Sequence, residues 1–119
     1  MSLDELEPGF ARFRMPFREE LLQSNGVVHG GAIVSLADTA VAYALLTLLQ
    51  PGEWVTTVEL KMNFLAAVKG EEMFGEGRVV RRGRRLALIE MEVKDKKGTL
   101  IAKGLATYLV RGPKQTEVE

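Results

Sequence analysis

The chain of 119 residues is long enough for one ordinary domain and too short for two. Its 16 basic and 16 acidic residues balance, which argues against a general binder of nucleic acid or of a membrane surface. It has no cysteine and one histidine, which excludes disulfides, cysteine nucleophiles and metal sites built from several histidines of one chain. We expect a single domain over residues 1–119, with a loose tail at 113–119.

The N-terminal segment, MSLDELEPGF, is acidic and lacks the apolar core of a signal peptide. The most apolar segment, residues 32–49, carries Asp38, Ser35 and two threonines and has no flanking basic residues. A membrane-spanning helix has about 20 apolar residues without a central charge. The pattern therefore predicts a buried helix in a soluble, cytoplasmic protein that does not enter a membrane.

In chain order, the apolar pattern predicts one strand, one long helix and then four strands. The predicted strands cover residues 10–17, 58–64, 73–82, 86–94 and 100–110, and a short turn or helix covers 21–25. The helix opens at Gly30-Gly31 and stops at Gln50-Pro51-Gly52. Gly75 and Gly77 indicate a bulge or bend in the strand at 73–82. Gly98 is expected to be the left-handed residue of the hairpin loop DKKGT.

The connections suggest how these elements are arranged. Short connections predict that the last four strands are antiparallel neighbours. The helix must cover one face of the sheet, and because it is apolar on nearly every side it must also be wrapped. We therefore predict an α+β fold of the hotdog architecture, a curved antiparallel sheet wrapped around one central helix.

A single carboxylate, Asp38, lies in the middle of the apolar helix. An unpaired buried carboxylate costs roughly several kcal/mol or takes up a proton. Its neighbours on the helix, Ser35, Thr39 and Tyr43, carry no positive charge. Two interpretations follow: Asp38 lies on a narrow exposed stripe with Ser35, or it is a desolvated base or nucleophile.

The motif HGG, residues 29–31, stands at the predicted start of the helix. The first amides of a helix are free and lie at the positive end of its dipole, and glycine lets a ligand approach closely. The motif is a candidate oxyanion site or, alternatively, a tight entry turn. Gly30 and Asp38 are about 12 Å apart along the helix at ~1.5 Å per residue. They can act on one carbonyl only if they come from two subunits related by a twofold axis.

The ordered set of Gly26, His29, Gly30, Gly31 and Asp38 resembles the hotdog-fold acyl-CoA thioesterases of the phenylacetic acid degradation type. The similarity continues through TTVELKMNFLAAVKGE, VVRRGRRLALIEMEV and KKGTLIAKGLATYLV, and covers roughly residues 12–110. The resemblance implies hydrolysis of a small acyl-CoA thioester to a free acid and CoA. It implies no metal and no cofactor, since coenzyme A is part of the substrate.

The resemblance also implies roles for individual residues. Asp38 would activate water or attack the thioester carbonyl, and both routes stay open. The Gly30 amide would polarise that carbonyl, and His29 would orient the loop. Gln23 stands where the family often has an asparagine, six residues before the histidine, and Thr57 resembles a hydroxyl position that holds the water.

Some of these residues also have ordinary structural explanations. His29 suits a turn whose backbone satisfies it, and Thr57 suits any strand. Gly31 and Asn25 are expected to lie beside the bound substrate.

The basic run RRGRR, residues 81–85, predicts either a solvated hairpin tip or a site for the phosphates of CoA. Guanidinium groups match phosphate oxygens in geometry. On the second interpretation Arg81, Arg82, Gly83 and Arg84 bind CoA. Nucleic-acid binding is disfavoured, because no aromatic residue interleaves the run and the chain is neutral.

Two other functions stay open. One is a hotdog hydratase or dehydratase, which moves protons on an acyl thioester, and the other is a non-catalytic acyl-CoA-binding protein. The carboxylate of Asp38 and its order after HGG favour the thioesterase. The acyl group stays undetermined, as does the choice between dimer and tetramer. The resemblance and the expected apolar sheet faces favour a dimer of dimers with active sites at the dimer interface.

Overall fold

The computed structural model describes residues 1–112, so the predicted tail at 113–119 lies outside the described residues. The elements are β1 (Ser2–Glu7), β2 (Phe10–Met15), a short 3-10 helix (Glu19–Leu21), α1 (Gly30–Leu46), β3 (Trp54–Phe64), β4 (Met73–Arg82), β5 (Leu86–Asp95) and β6 (Leu100–Arg111). In the described part of the chain, no helix is both long and apolar enough to cross a membrane. The α+β hotdog prediction is confirmed.

Several predicted boundaries shift. α1 ends at Leu46, before the predicted residue 49, where the Thr47 hydroxyl donates to the Ala44 carbonyl and accepts from the Gly9 amide. β3 begins four residues earlier than predicted. The sequence pattern missed these first residues because they are largely exposed and do not alternate. Gly98 has φ 89°, which confirms the left-handed residue of the β5–β6 hairpin.

β1 was not predicted from the sequence. Leu3 and Leu6 are both exposed, so this strand has no apolar alternation to reveal it. Within residues 1–112 it is an edge strand that pairs only with β2, through backbone hydrogen bonds and through ion pairs of Arg12 with Asp4 and Glu5.

The six strands form one antiparallel sheet in the order β1-β2-β4-β5-β6-β3. β4, β5 and β6 are successive neighbours, as predicted. The prediction that β3 lies beside β4 is wrong, because β3 pairs with β6 and β4 pairs with β2. The connection at residues 65–72 is longer than a hairpin loop, so it lets the chain leave β3 at one edge and return beside β2.

The glycines of β4 mark where the helix meets the sheet. A Cβ on Gly77 would lie 2.7 Å from the carbonyl oxygen of Ala40, and one on Gly75 would lie 2.6 Å from the side chain of Leu36. A bulge at these glycines, one of the two predicted alternatives, is wrong, because their register with β5 is regular and the irregularity falls between Val79 and Arg81; the other alternative, a bend, stays a prediction.

The inner face of the sheet has two halves. α1 packs chiefly on β4, β2 and β5, and we call these strands with the helix residues on them the closed half. The core residues that α1 contributes are Ile33, Leu36, Ala37, Ala40, Val41, Ala44 and Leu45. The inner face of β6 and β3, together with the helix side that faces it, we call the open half. It ends at an edge strand, β3, with no further strand partner in residues 1–112.

The outer face of the sheet is charged at its centre. A row of side chains in register runs from Arg12 through Glu76 and Glu92 to Lys103. Arg12 pairs with Glu76 at 2.9 Å and Lys103 pairs with Glu92 at 2.6 Å. An apolar outer face was one ground for expecting a dimer of dimers, and the centre of this face does not supply it. The oligomeric state stays a prediction.

Candidate active site

The start of α1 presents two free amides. The carbonyl of His29 accepts hydrogen bonds from Ala32 at 3.1 Å and Ile33 at 3.4 Å. Within residues 1–112, nothing accepts a hydrogen bond from the amide of Gly30 or of Gly31. Free N–H groups at the positive end of a helix suit an anion or a carbonyl oxygen that gains negative charge.

The local fold does not require glycine at these two positions. Neither Gly30 nor Gly31 has a positive φ; the tight turn before the helix is made by Gly26, with φ 82°. A Cβ on Gly31 would meet nothing, and one on Gly30 would lie 3.4 Å from the Phe64 ring, an ordinary contact. Each glycine in a helix costs about 1 kcal/mol relative to alanine. Open space beside the two amides is therefore the feature that glycine provides here.

The loop before α1 brings Gln23 to the same place. The Gln23 amide donates to the Val27 carbonyl at 2.8 Å, and the Gly26 amide donates to the Gln23 carbonyl at 2.9 Å. The exposed Gln23 side chain lines a cleft together with Gly30 and Phe64. Two predicted site residues, Gln23 and Gly30, thus share one cleft.

The other predicted loop residues lie at its rim. The Asn25 side chain accepts a weak hydrogen bond from the Val27 amide at 3.4 Å, which is a local turn contact. The His29 imidazole is exposed and makes no hydrogen bond within the described part of the chain. Its backbone does hold the loop, since the His29 amide donates to the Leu21 carbonyl at 2.8 Å.

Asp38 lies two helical turns further on and is partly buried on the side of α1 that faces the open half. Its partner is Tyr108 of β6, whose hydroxyl donates to Asp38 Oδ1 at 3.0 Å. No lysine, arginine or histidine among residues 1–112 lies within ion-pair distance of Asp38. The carboxylate is thus held by one neutral donor and has no compensating cation.

The helix neighbours considered from the sequence have other partners. The Thr39 hydroxyl donates to the Ser35 carbonyl at 2.8 Å. The Tyr43 ring packs edge-on against Phe13 of β2, with 4.8 Å between the ring centroids.

Tyr108 was not identified from the sequence. It faces inward from β6 directly opposite Thr57 of β3, and it is 4% exposed. Burial raises the pKa of the Tyr108 phenol, the nearby Thr57 hydroxyl lowers it, and the Asp38 carboxylate raises it further. The phenol therefore remains a proton donor at neutral pH. One signal could have found it: a hydroxyl on the inward positions of the alternating strand GLATYLV.

The arginine hairpin between β4 and β5 is built around Arg82. The Arg82 guanidinium bonds to the carboxylate of Glu53 and to the Gly83 carbonyl. The Gln50 amide, and then Arg82, lower the pKa of Glu53. A Cβ on Gly83 would lie 2.7 Å from the Leu86 carbonyl oxygen, so the turn itself requires glycine.

The hairpin lies at the same end of the sheet as Tyr108. Arg82 is in register with Ala87, and Ala87 is in register with Tyr108. Two strand spacings separate Arg82 from Tyr108, roughly 10 Å. Arg81 and Arg84 have exposed side chains at this tip. Within residues 1–112, no three metal-ligating side chains cluster.

Comparison with known proteins identifies the family. The sequence model of the thioesterase superfamily matches residues 25–102 of this chain, the stretch that contains HGG and Asp38. A Saccharolobus solfataricus protein named "Putative esterase SSO1253" is 34% identical over 119 residues, covering 100% of this chain and 79% of the relative.

Solved structures share the fold. The E. coli PaaI protein from the phenylacetic acid degradation operon has a TM-score of 0.86 at 23% identity, covering 93% of this chain and 79% of PaaI. The Streptococcus mutans protein smu.793, solved bound to acetyl CoA, has a TM-score of 0.85 at 24% identity, covering 93% and 88% of the two chains. This chain therefore belongs to the thioesterase superfamily and has its hotdog fold.

Proposed function

We propose that this protein is an acyl-CoA thioesterase that hydrolyses a small acyl-CoA, with aromatic acyl groups among the candidates, to a free acid and CoA. One observation carries the proposal. Among residues 1–112, a single helix presents two amides without acceptors, at Gly30 and Gly31, and a carboxylate without a cation, at Asp38. Ester-type hydrolysis needs both kinds of group: donors for the oxyanion and a base or nucleophile for the carbonyl carbon.

The reaction assigns one task to each group. The thioester carbonyl oxygen accepts the hydrogen bond of the Gly30 amide, which stabilises the charge that develops on it. Asp38 either takes a proton from the attacking water or attacks the carbonyl carbon itself and is later released by water. In both routes the C–S bond breaks, the CoA sulfur takes a proton, and the acid leaves as a carboxylate.

The site requires two subunits. About 12 Å of helix separates Gly30 from Asp38 at ~1.5 Å per residue, too far for one carbonyl to touch both. The open half lies beside the β3 edge, which exposes unpaired backbone groups together with Val58 and Phe64. A twofold axis at this edge would bring Gly30 of one subunit towards Asp38 of the other and create two equal sites. We propose that a homodimer of this kind is the unit of a dimer of dimers.

The remaining predicted residues would bind around this centre. Gln23 lines the cleft with Gly30 and would position the water or the substrate. His29 would orient the loop, and Gly31 and Asn25 would lie beside the substrate.

Coenzyme A is the proposed leaving group. Two features support this: the Streptococcus mutans neighbour is bound to acetyl CoA, and exposed arginines stand at the β4–β5 tip. Arg81 and Arg84 would contact phosphates, since guanidinium groups match phosphate oxygens. Arg82, bonded to Glu53, and Gly83 would hold the tip in shape.

A thiol-release assay tests the proposal. Purified protein is offered phenylacetyl-, benzoyl- and straight-chain acyl-CoAs, with Asp38→Asn beside the wild type. The variant keeps the size of the side chain and removes the base, so the rate should fall by about 100-fold or more. Asp4→Asn is the matched control, because Asp4 is exposed on the outer edge strand β1.

The outcomes separate the candidate functions. Thiol release by the wild type and by Asp4→Asn, with loss in Asp38→Asn, supports the thioesterase. Hydration of an enoyl-CoA without thiol release would favour a hydratase. Binding of acyl-CoA without any turnover would favour the non-catalytic protein.

A further inference from the structure

We propose that Tyr108 is a positioning residue of this thioesterase: its hydroxyl holds Asp38 through Oδ1 and leaves Oδ2 for the water or the thioester carbonyl carbon. The proposal rests on the proposed function for its chemistry, and on the geometry of the open half for its contact. No other residue outside α1 is bonded to Asp38 within the described part of the chain.

The hydrogen bond between Tyr108 and Asp38 joins a strand and a helix that lie far apart in the sequence. Asp38 and Tyr108 are 70 residues apart in sequence, on α1 and β6, and their oxygens lie 3.0 Å from each other. Tyr108 is buried, and its strand is paired on both sides, with β5 and with β3. A carboxylate on a helix can turn about two side-chain torsions, so a hydrogen bond from a rigid strand selects one orientation.

A phenol orients the carboxylate without neutralising it. An arginine or lysine would stabilise the charged carboxylate strongly and weaken it as a base or nucleophile. Burial raises the pKa of the phenol, so Tyr108 keeps its proton and stays a donor. Asp38 is therefore held in place and remains reactive.

Thr57 belongs to the same arrangement. It stands opposite Tyr108 in the β3–β6 register, and its hydroxyl lowers the pKa of the Tyr108 phenol. Because the Tyr108 proton is directed at Asp38, a Thr57 hydroxyl that reached the phenol oxygen would have to be the donor. Thr57 would then act on Asp38 through Tyr108, in place of the water-holding role expected from the resemblance.

The kinetic test uses Tyr108→Phe, which removes the hydroxyl and keeps the ring. We expect kcat to fall about tenfold to 100-fold, the range for a lost hydrogen bond to a charged group, with KM nearly unchanged. In an Asp38→Asn background the same change should have almost no further effect, because there is no reactive carboxylate to position. Tyr43→Phe, an exposed phenol on α1, is the matched control and should retain wild-type kcat.

Other kinetic outcomes would overturn the positioning role. One is wild-type kcat in a folded Tyr108→Phe protein. Another is an undiminished loss when Tyr108→Phe is added to Asp38→Asn.

A spectroscopic test of the contact does not depend on activity. The chain has two tyrosines, so Tyr43→Phe leaves the phenol of Tyr108 as the sole signal in an alkaline absorbance titration. Because the Asp38 carboxylate raises the pKa of Tyr108, adding Asp38→Asn should lower the titration midpoint, and adding Asp4→Asn should not. An unchanged midpoint with Asp38→Asn would overturn the contact. A lowered midpoint in a protein that releases no thiol would support the contact and overturn the proposed function.

Discussion

The closed and open halves of the inner face differ in how many of their apolar and hydrogen-bonding groups find partners within one chain. In the closed half, glycines of β4 receive the helix backbone, and the apolar side chains of α1 are buried. In the open half, as far as the described chain goes, two helix amides have no acceptor, Asp38 has one neutral partner outside α1, and Phe64 is exposed. Folding of one chain satisfies the groups of the closed half. On our proposal, a second subunit and the substrate would satisfy those of the open half.

The comparison separates residues that make the fold from residues available for chemistry. Packing within one chain requires glycine at position 77, whereas no contact among residues 1–112 requires it at position 31. Substitutions in the closed half should therefore change stability first. Substitutions in the open half should change activity first and leave the fold intact.

Gly77→Ala should have the largest effect. Its Cβ would lie 2.7 to 2.8 Å from backbone atoms of Ala40 and Val41, so the helix must move away from the sheet. We expect a loss of about 3 kcal/mol in the free energy of unfolding, measured by urea denaturation. Gly31→Ala, whose Cβ meets nothing, should be as stable as the wild type or more so. Equal destabilisation by both changes would remove the distinction between the halves.

Gly30→Pro should have the largest effect on activity with little effect on the fold. Proline removes the amide hydrogen, and it is favoured at the first position of a helix. The preceding His29 has ψ 137°, which is compatible with a following proline. We expect kcat to fall about 100-fold, the size of the loss of one oxyanion donor.

Gly30→Ala is the matched variant, since it keeps the amide hydrogen and adds a Cβ, as proline also does. It should retain clearly more activity than Gly30→Pro at similar stability. Equal kcat in the two variants would show that the Gly30 amide does not bind the oxyanion.

Arg81→Ala should have a moderate effect. Loss of one phosphate contact should raise KM for an acyl-CoA about threefold to tenfold, and leave KM for the corresponding acyl-pantetheine, which lacks the nucleotide, unchanged. Arg82→Ala should instead lower stability, because it leaves Glu53 without its ion-pair partner. The same rise in KM for both thioesters would place CoA elsewhere.

Glu92→Gln, on the charged outer face, should have the smallest effect. Lys103 foremost, and Lys94 as well, lower the pKa of Glu92 from its ordinary value of 4.5. A lowered folded-state pKa contributes stability above the unfolded-state value, and this stability is lost as pH falls through the folded-state value. The variant should thus lose less stability than the wild type below pH 4.5, by about 1 kcal/mol or less. Parallel curves of melting temperature against pH would contradict this.

The sequence predicts well which face of each strand is buried, and poorly which strands are neighbours in the sheet. Alternation located β4, β5 and β6, because inward residues such as Ile89 and Met91 are apolar. The short connections predict that β3 lies beside β4, which is wrong, and alternation could not correct this because it does not state which edge of the sheet a strand joins. The prediction of an α+β hotdog fold is still right, because wrapping a sheet around one helix depends on which faces of the strands and helix are apolar.

The candidate site likewise has residues that the sequence reveals and contacts that it does not. HGG and Asp38 are visible in the sequence, because a carboxylate is unusual in an apolar helix. Tyr108 is not, because its contact with Asp38 spans 70 residues and its strand reads as ordinary core. The bonding of Arg82 to Glu53 is another long-range contact that spacing could not give.

The central claim is that each active site combines Asp38 of one subunit with the Gly30 amide of another. It is tested most directly by co-assembling Asp38→Asn chains with Gly30→Pro chains and measuring thiol release from the mixed oligomer. If sites are shared, a mixed dimer contains one intact site, and random mixing should restore about a quarter of wild-type activity. A mixture that assembles and stays as inactive as either variant alone would contradict the shared site.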